Sequence, residues 1–172
     1  RILQATLENV EVPCVVDADG LNLLSAHSRY MKNLVRGQFI FTPHMKEMSR
    51  ITRKSVEELR NSRMEILKQF AGGYDVTCVL KDARTCIFSP GEHPFVNLSG
   101  NAAMAKAGSG DVLAGVITGL LAQKMSCFDA AVLGVYLHGL AGDEAKREKG
   151  SYSVLARDLA ENIGTVLKRL EE

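Results

Sequence analysis

Between Gly100 and Asp111 the chain reads Gly-Asn-Ala-Ala-Met-Ala-Lys-Ala-Gly-Ser-Gly-Asp, small residues for the most part, and runs straight into an apolar stretch with helical spacing. Small residues let a backbone approach a ligand closely, and the first free N–H groups of a helix, together with its dipole, favour an anion. Asp111 stands at the start of that helix. A substrate hydroxyl resting against its carboxylate could lose a proton there, while the N–H groups of Gly108, Ser109 and Gly110 stabilise the charge of a transferring phosphoryl group. Base and anion hole would then be four consecutive residues. Helix capping by Ser109 and dipole complementation by Asp111, the latter worth roughly 0.3–1 kcal/mol, would explain one or two positions but not the whole run. Other glycine fingerprints do not apply. No Gly-Lys-Ser/Thr follows, and Gly108-x-Gly110 lacks its third glycine, since Leu113 stands in that place.

Three further clusters fall just after apolar runs. His44 and Glu47 are one helical turn apart, so both could face one pocket; alternatively they belong to a capped helix start with Pro43 preset for entry. Lys81-Asp82-Ala83-Arg84-Thr85 is a polar turn that could equally be an exposed hairpin tip. Asp17, Asp19 and Asn22 resemble a calcium loop only superficially, because Gly20 falls at the fourth position rather than the sixth. Asp19 or Asn22 either ties down a strand-to-helix turn through local backbone bonds or contacts a ligand. His138 lies within an apolar helix and reads as a packed contact.

The elements that would position these residues alternate. Val12 to Asp17, Gln38 to Thr42 and Val76 to Leu80 are short apolar runs without polar alternation, as strands covered on both faces read. Ser55-Val56-Glu57-Glu58 opens a capping box, followed by one helix carrying Val56, Leu59, Met64, Ile66, Leu67 and Phe70 and stopping at Gly72-Gly73. Thr85 to Phe88 and Pro94 to Leu98 form a hairpin around Ser89-Pro90-Gly91-Glu92. Asp111 to Ala122, Phe128 to Lys146 and Ala156 to Leu170 are helices, and Arg1 to Asn9 reads as the tail of another. Such an order predicts one open, mostly parallel α/β sheet flanked by helices, with ligands beyond the carboxyl ends of its strands.

Composition narrows the chemistry. The chain has 172 residues, 46% hydrophobic and 24% charged, which suits a single globular domain. A net charge of +1 gives no field to hold a nucleic acid. No apolar run approaches the ~18 residues of a membrane span. Cys14, Cys78, Cys86 and Cys127 form no disulfide-framework or metal-finger spacing, which fits a reducing cytoplasm.

The Gly108-Ser109-Gly110-Asp111 segment resembles the anion-hole signature of the ribokinase-like superfamily. Val16-Asp17-Ala18-Asp19-Gly20-Leu21-Asn22-Leu23-Leu24, Phe41-Thr42-Pro43-His44-Met45-Lys46-Glu47-Met48 and Tyr136-Leu137-His138-Gly139-Leu140-Ala141-Gly142-Asp143 make the chain similar to one metabolite-repair branch, the NAD(P)H-hydrate dehydratase family. That resemblance implies nucleotide-driven dehydration of hydrated NADH and NADPH, with ADP or ATP as phosphate donor and Mg2+ as cofactor. It implies substrate at His44, Asn22 and Asp111, nucleotide along Lys81, Asp82, Ala83, Arg84 and Thr85 and at Gly110, and magnesium near Glu47. Members usually carry Pro-Gly at Ala102-Ala103 and Thr-Gly at Lys106-Ala107, so Lys106 is expected to add a cation near the phosphate. They also carry N-terminal strands and part of the substrate pocket that this sequence lacks. The expectation is a carboxyl-terminal portion of the domain, completed by the missing portion or another copy in a homo-oligomer. Alternatives are a kinase of a small vitamin or sugar alcohol, or a nucleotide-binding fragment without turnover.

Overall fold

The computed structural model describes residues 2–171, without the side chain of Asn33. Its sheet has five strands in the order β1 (Cys14–Val16), β2 (Phe39–Phe41), β3 (Thr77–Leu80), β4 (Cys86–Phe88) and β5 (Phe95–Val96). The first three are parallel, with Val15 opposite Ile40 and Phe41 opposite Cys78. β4 and β5 are antiparallel additions, so the expected hairpin sits beside the parallel part.

Helices cover both faces. Strand alternation sends Phe39, Phe41, Cys78 and Leu80 into a core shared with α1 (Ile2–Asn9), α2 (Ala18–Ala26), α3 (Met45–Thr52), α4 (Val56–Asn61) and α5 (Arg63–Tyr74). Ile40, Val79 and Ile87 point the other way, onto Leu113, Ile117 and Leu121 of α6 (Ser109–Ala122) and Ala130, Ala131 and Val135 of α7 (Cys127–Lys149). Residues four apart on α6 form one stripe, which is why that helix lies flat on the sheet. α8 (Ala156–Glu171) packs on α7. Arg1, at the start of the expected first helix, lies outside the described residues. All four cysteines are free.

The helix expected as one unit from Ser55 is two. Its capping box is present: the Glu58 N–H donates to Ser55 Oγ at 3.1 Å, and the Ser55 N–H donates to Glu58 Oε2 at 2.7 Å. The chain then breaks at Ser62, where φ is −127°. The apolar positions continue across the break, so Leu59 and the Ile66–Phe70 stripe reach the same core and spacing alone carries no sign of the kink. Gly72-Gly73 is not a stop either. The helix runs through both to Tyr74, and Asp75 ends it in the left-handed region.

Candidate functional site

The carboxyl ends of β1, β2 and β3 lie side by side. The Thr42 N–H donates to the Val16 carbonyl at 3.2 Å and the Lys81 N–H to the Pro43 carbonyl at 2.8 Å, so Asp17, His44 and Lys81 emerge at one level. The Lys81 side chain crosses the end of β2 to reach Asp17, with Nζ 2.7 Å from Oδ1. Both side chains are largely buried, 20% and 14% exposed.

The amino end of α6 meets this pair. Gly108, its N-cap, has φ +89°, and a Cβ there would stand 3.0 Å from the Ala156 Cβ, so conformation and space both call for glycine. At Gly110 a Cβ would lie 3.3 Å from Lys81 Nζ and 3.6 Å from Asp17 Oδ2. The Ser109 N–H is engaged by the Lys106 carbonyl at 3.3 Å and the Val112 N–H by the Gly108 carbonyl at 3.1 Å. Of the expected anion-hole amides, Ser109 is thus engaged, while the N–H groups of Gly108, Gly110 and Asp111 have no such acceptor among the described residues. Asp111 itself is exposed and makes no described hydrogen bond or ion pair. The first turn of α6 thus carries a free carboxylate and free amides, and the Lys81 ammonium lies against it at Gly110.

Lys106 does not join them. Its Nζ donates to the carbonyls of Tyr152 and Val154, so this cation stitches the loop to the α7–α8 connection instead of adding charge to the α6 turn.

The other candidates divide. His44 is the N-cap of α3: its Nδ1 accepts from the N–H groups of Lys46 and Glu47 at 3.1 and 3.2 Å, and its own N–H donates to Glu47 Oε2 at 2.8 Å. Glu47 is buried, with Oε1 3.4 Å from His44 Nε2. The expected pair is thus joined, and the His44 ring remains half exposed. Asn22 Oδ1 accepts from the Arg50 guanidinium, tying α2 to α3. In the turn after β3, Asp82 pairs with Arg63 at 2.7 Å, and Arg63 also donates to the Arg84 carbonyl. Thr85 Oγ1 donates to the Asp82 carbonyl at 3.3 Å. Only Lys81 of that stretch has a described contact with the α6 turn.

Sequence reasoning missed how α7 holds the loop that feeds α6. Asp143 accepts from the Gly100 N–H at 2.9 Å and from Asn101 Nδ2 at 2.8 Å. A Cβ on Gly139 would lie 2.1 Å from Ser99 Oγ, and one on Gly142 2.3 Å from Met104 Sδ. His138 is buried in the same layer, its Nε2 without a partner among the described residues. Burial pushes its pKa down to about 4, the Lys81 charge adds to that, and a contact with the Ser109 main chain opposes it. The ring is therefore neutral at physiological pH. Asp17 was also missed as the partner of Lys81; an acid directly ending an apolar strand was its only signal.

Residues 1–165 match the NAD(P)H-hydrate dehydratase family. The chain belongs to that family. It is 42% identical over 171 residues to the bifunctional NAD(P)H-hydrate repair enzyme Nnr of Moorella thermoacetica, covering 99% of this chain and 32% of the relative. It is 40% identical over 156 residues to the ADP-dependent (S)-NAD(P)H-hydrate dehydratase of Neisseria meningitidis, covering 89% and 52%. Among solved structures it superposes with TM-score 0.78 and 31% identity on the ADP/ATP-dependent dehydratase of Bacillus subtilis co-crystallised with ATP and Mg2+, over 91% of this chain and 55% of that one. A ribokinase of Arabidopsis thaliana, at TM-score 0.58 and 14% identity, shares the ribokinase-like fold. The chain thus spans about a third of the bifunctional family members and half of the single-function one.

Proposed function

We propose that this chain provides the phosphoryl-transfer part of a nucleotide-dependent NAD(P)H-hydrate dehydratase, restoring NADH and NADPH from their hydrates. Asp111 accepts the proton of the substrate hydroxyl as that oxygen attacks the terminal phosphate of ADP or ATP. The Gly110 and Asp111 N–H groups, with Lys81, hold the transferring phosphoryl group at the positive end of α6. Phosphate then leaves, and loss of a proton from the ring carbon restores the double bond. The half-exposed ring of His44, together with Asn22, orients the nicotinamide part, and the Lys81–Thr85 turn lies along the nucleotide.

Among the described residues no cluster of three His, Cys, Asp or Glu side chains could hold a metal. The donors suit Mg2+ as an ion borne on nucleotide phosphates, since Mg2+ keeps several waters and takes only one or two carboxylates. Glu47, whose oxygens face His44, would hold it by exchanging one of those contacts, and the ion would supply charge neutralisation of the phosphates. The four free thiols fit a cytoplasmic setting. β1 lies at the edge of the sheet, and we assign to that edge the remaining polypeptide of the domain, or another copy, with the rest of the substrate pocket.

The observation that carries this reading is the unpaired Asp111 carboxylate on the same helical turn as unpaired amides, with Lys81 against that turn at Gly110. The test is recovery of NADPH from its hydrate, followed by the return of reduced-nicotinamide absorbance with ADP and with ATP. It should be run on this chain and on the chain extended to the length of its relatives. The extended form is expected to turn over and the short one to do so poorly; an inactive extended form with both nucleotides would overturn the assignment.

A further inference from the structure

A lysine ammonium at the amino end of a helix is a like-sign placement, because that end already carries about half a positive charge. Lys81 nevertheless rests there, beside Gly110, and Asp17 is what holds it. The two residues come from strands separated by β2, so only the shared level of the strand ends brings them together. Asp17 does not cap its own helix, although it occupies the N-cap position of α2. Its Oδ1 is spent on Lys81 and its Oδ2 faces the first turn of α6. A phosphate on the Gly110 N–H would therefore meet both members of the pair, one attracting and one repelling it.

We infer that Asp17 is a positioning residue that aims Lys81 at the α6 turn and, by its own charge, weakens the site's hold on phosphate so that the product leaves. The inference rests on the reading of that turn as the phosphoryl site. Without Asp17 the ammonium faces the anion undivided, and one repelling charge a few ångströms away is gone. With an effective dielectric near that of a protein surface, such a change is worth roughly ten-fold in anion affinity.

The experiment is a calorimetric titration of the chain with inorganic phosphate and with ADP in EDTA, for wild type, Asp17→Asn and Asp17→Glu. Asp17→Asn is expected to bind both about ten-fold more tightly, with a steeper loss of affinity on adding salt. Asp17→Glu, which keeps the charge, should return affinity toward wild type. In the extended, active protein, Asp17→Asn should lower KM and kcat together, the split expected when a bound state is over-stabilised. A residue that merely supports the fold would instead weaken binding as thermal stability fell. Unchanged or weaker phosphate binding in a folded Asp17→Asn variant overturns the inference. Should that variant not fold, the Lys81 ammonium resonance in 15N-lysine-labelled wild type decides: a shift on adding phosphate supports the contact, and none overturns it. If wild type binds neither phosphate nor ADP, the phosphoryl-site reading itself fails, which is a different outcome from a wild type that binds and a variant that binds no better.

Discussion

Asp111 and Glu144 stand on neighbouring helices that pack against each other, yet their surroundings are opposite. Glu144, on α7, is buried and gripped by two guanidinium groups. Arg169 holds it through paired contacts of 2.6 and 2.7 Å, and Arg147 adds a second set one turn along α7. Nearby Asp158 repeats the pattern, taking Lys149 at 2.6 Å and the Leu155 N–H at 2.8 Å. Asp111, on the first turn of α6, has no such partner. Where the α7–α8 layer closes, its buried carboxylates Glu144 and Asp158 are both paired; at the strand ends a carboxylate and the amides of the first α6 turn stay open. Unpaired polar groups that water can reach cost little, and they are the ones a ligand can take over.

The largest effect expected from breaking this contrast is at Asp111. Asp111→Asn keeps size and removes proton acceptance, so turnover of the complete domain should fall by roughly 10²–10⁴-fold. That carboxylate has no partner beyond the α6 dipole, so loss of its charge should cost at most roughly 0.3–1 kcal/mol and lower the melting temperature by no more than about 4 °C, with nucleotide affinity little altered. Near-normal turnover in steady-state assays would remove Asp111 from the role of base.

The next effect is on the loop that delivers the site. Gly139→Ala puts a Cβ 2.1 Å from Ser99 Oγ and 2.9 Å from the Ser99 carbonyl carbon, so backbone as well as side chain must move. Alanine gains about 1 kcal/mol in helix propensity, but overpacking of this kind costs roughly 1–3 kcal/mol, so a net loss of stability is expected. Gly119→Ala on α6 meets nothing within 4 Å and should raise stability by roughly 0.5–1 kcal/mol. Thermal unfolding of the two variants side by side checks the pair. Equal shifts would show that α7 does not grip the 99–104 segment as described.

What is legible in the sequence follows the same division. The parallel strands, the hairpin and the α6 stripe are readable because each carries a local signal: short apolar runs without polar alternation at Gln38 to Thr42 and Val76 to Leu80, turn residues at Ser89-Pro90-Gly91-Glu92, and Leu113, Ile117 and Leu121 on one apolar helical stripe. Gly108, Ser109, Gly110 and Asp111 were readable because small residues before an apolar helix are a local signal too. The Ser62 break was not, since the apolar positions on either side serve one core. The destination of Lys106 was not, because a lysine near a loop carries no record of carbonyls 46 and 48 positions further on. The Asp17–Lys81 pair, 64 positions apart, is likewise a product of strand order and not of spacing. Gly139, Gly142 and Asp143 could be seen as a motif, but their work of clamping Ser99 to Met104 appears only where α7 crosses the loop.

The smallest and most selective test makes the Asp111 change at the paired site. The guanidinium groups of Arg169 and then Arg147 hold the Glu144 pKa down to about 2, from its usual 4.5. The folded state thus binds fewer protons at this position than the unfolded chain between those values, and stability must fall as the pH drops through that window. The Glu144 contribution is fully present above about pH 4.5 and gone below about 2. Glu144→Gln removes it at every pH, so the variant should melt below wild type at pH 7 and the gap should close as both are taken toward pH 2. Both arginines are more than half exposed, so added salt should shrink the gap at pH 7 as well. Turnover at a temperature where both forms are folded should be unchanged, the reverse of Asp111→Asn. Parallel melting curves of the two proteins from pH 7 to 2, with a constant gap, would mean that the charges on Arg147 and Arg169 do not stabilise Glu144 and that the α7–α8 layer closes on its apolar contacts alone.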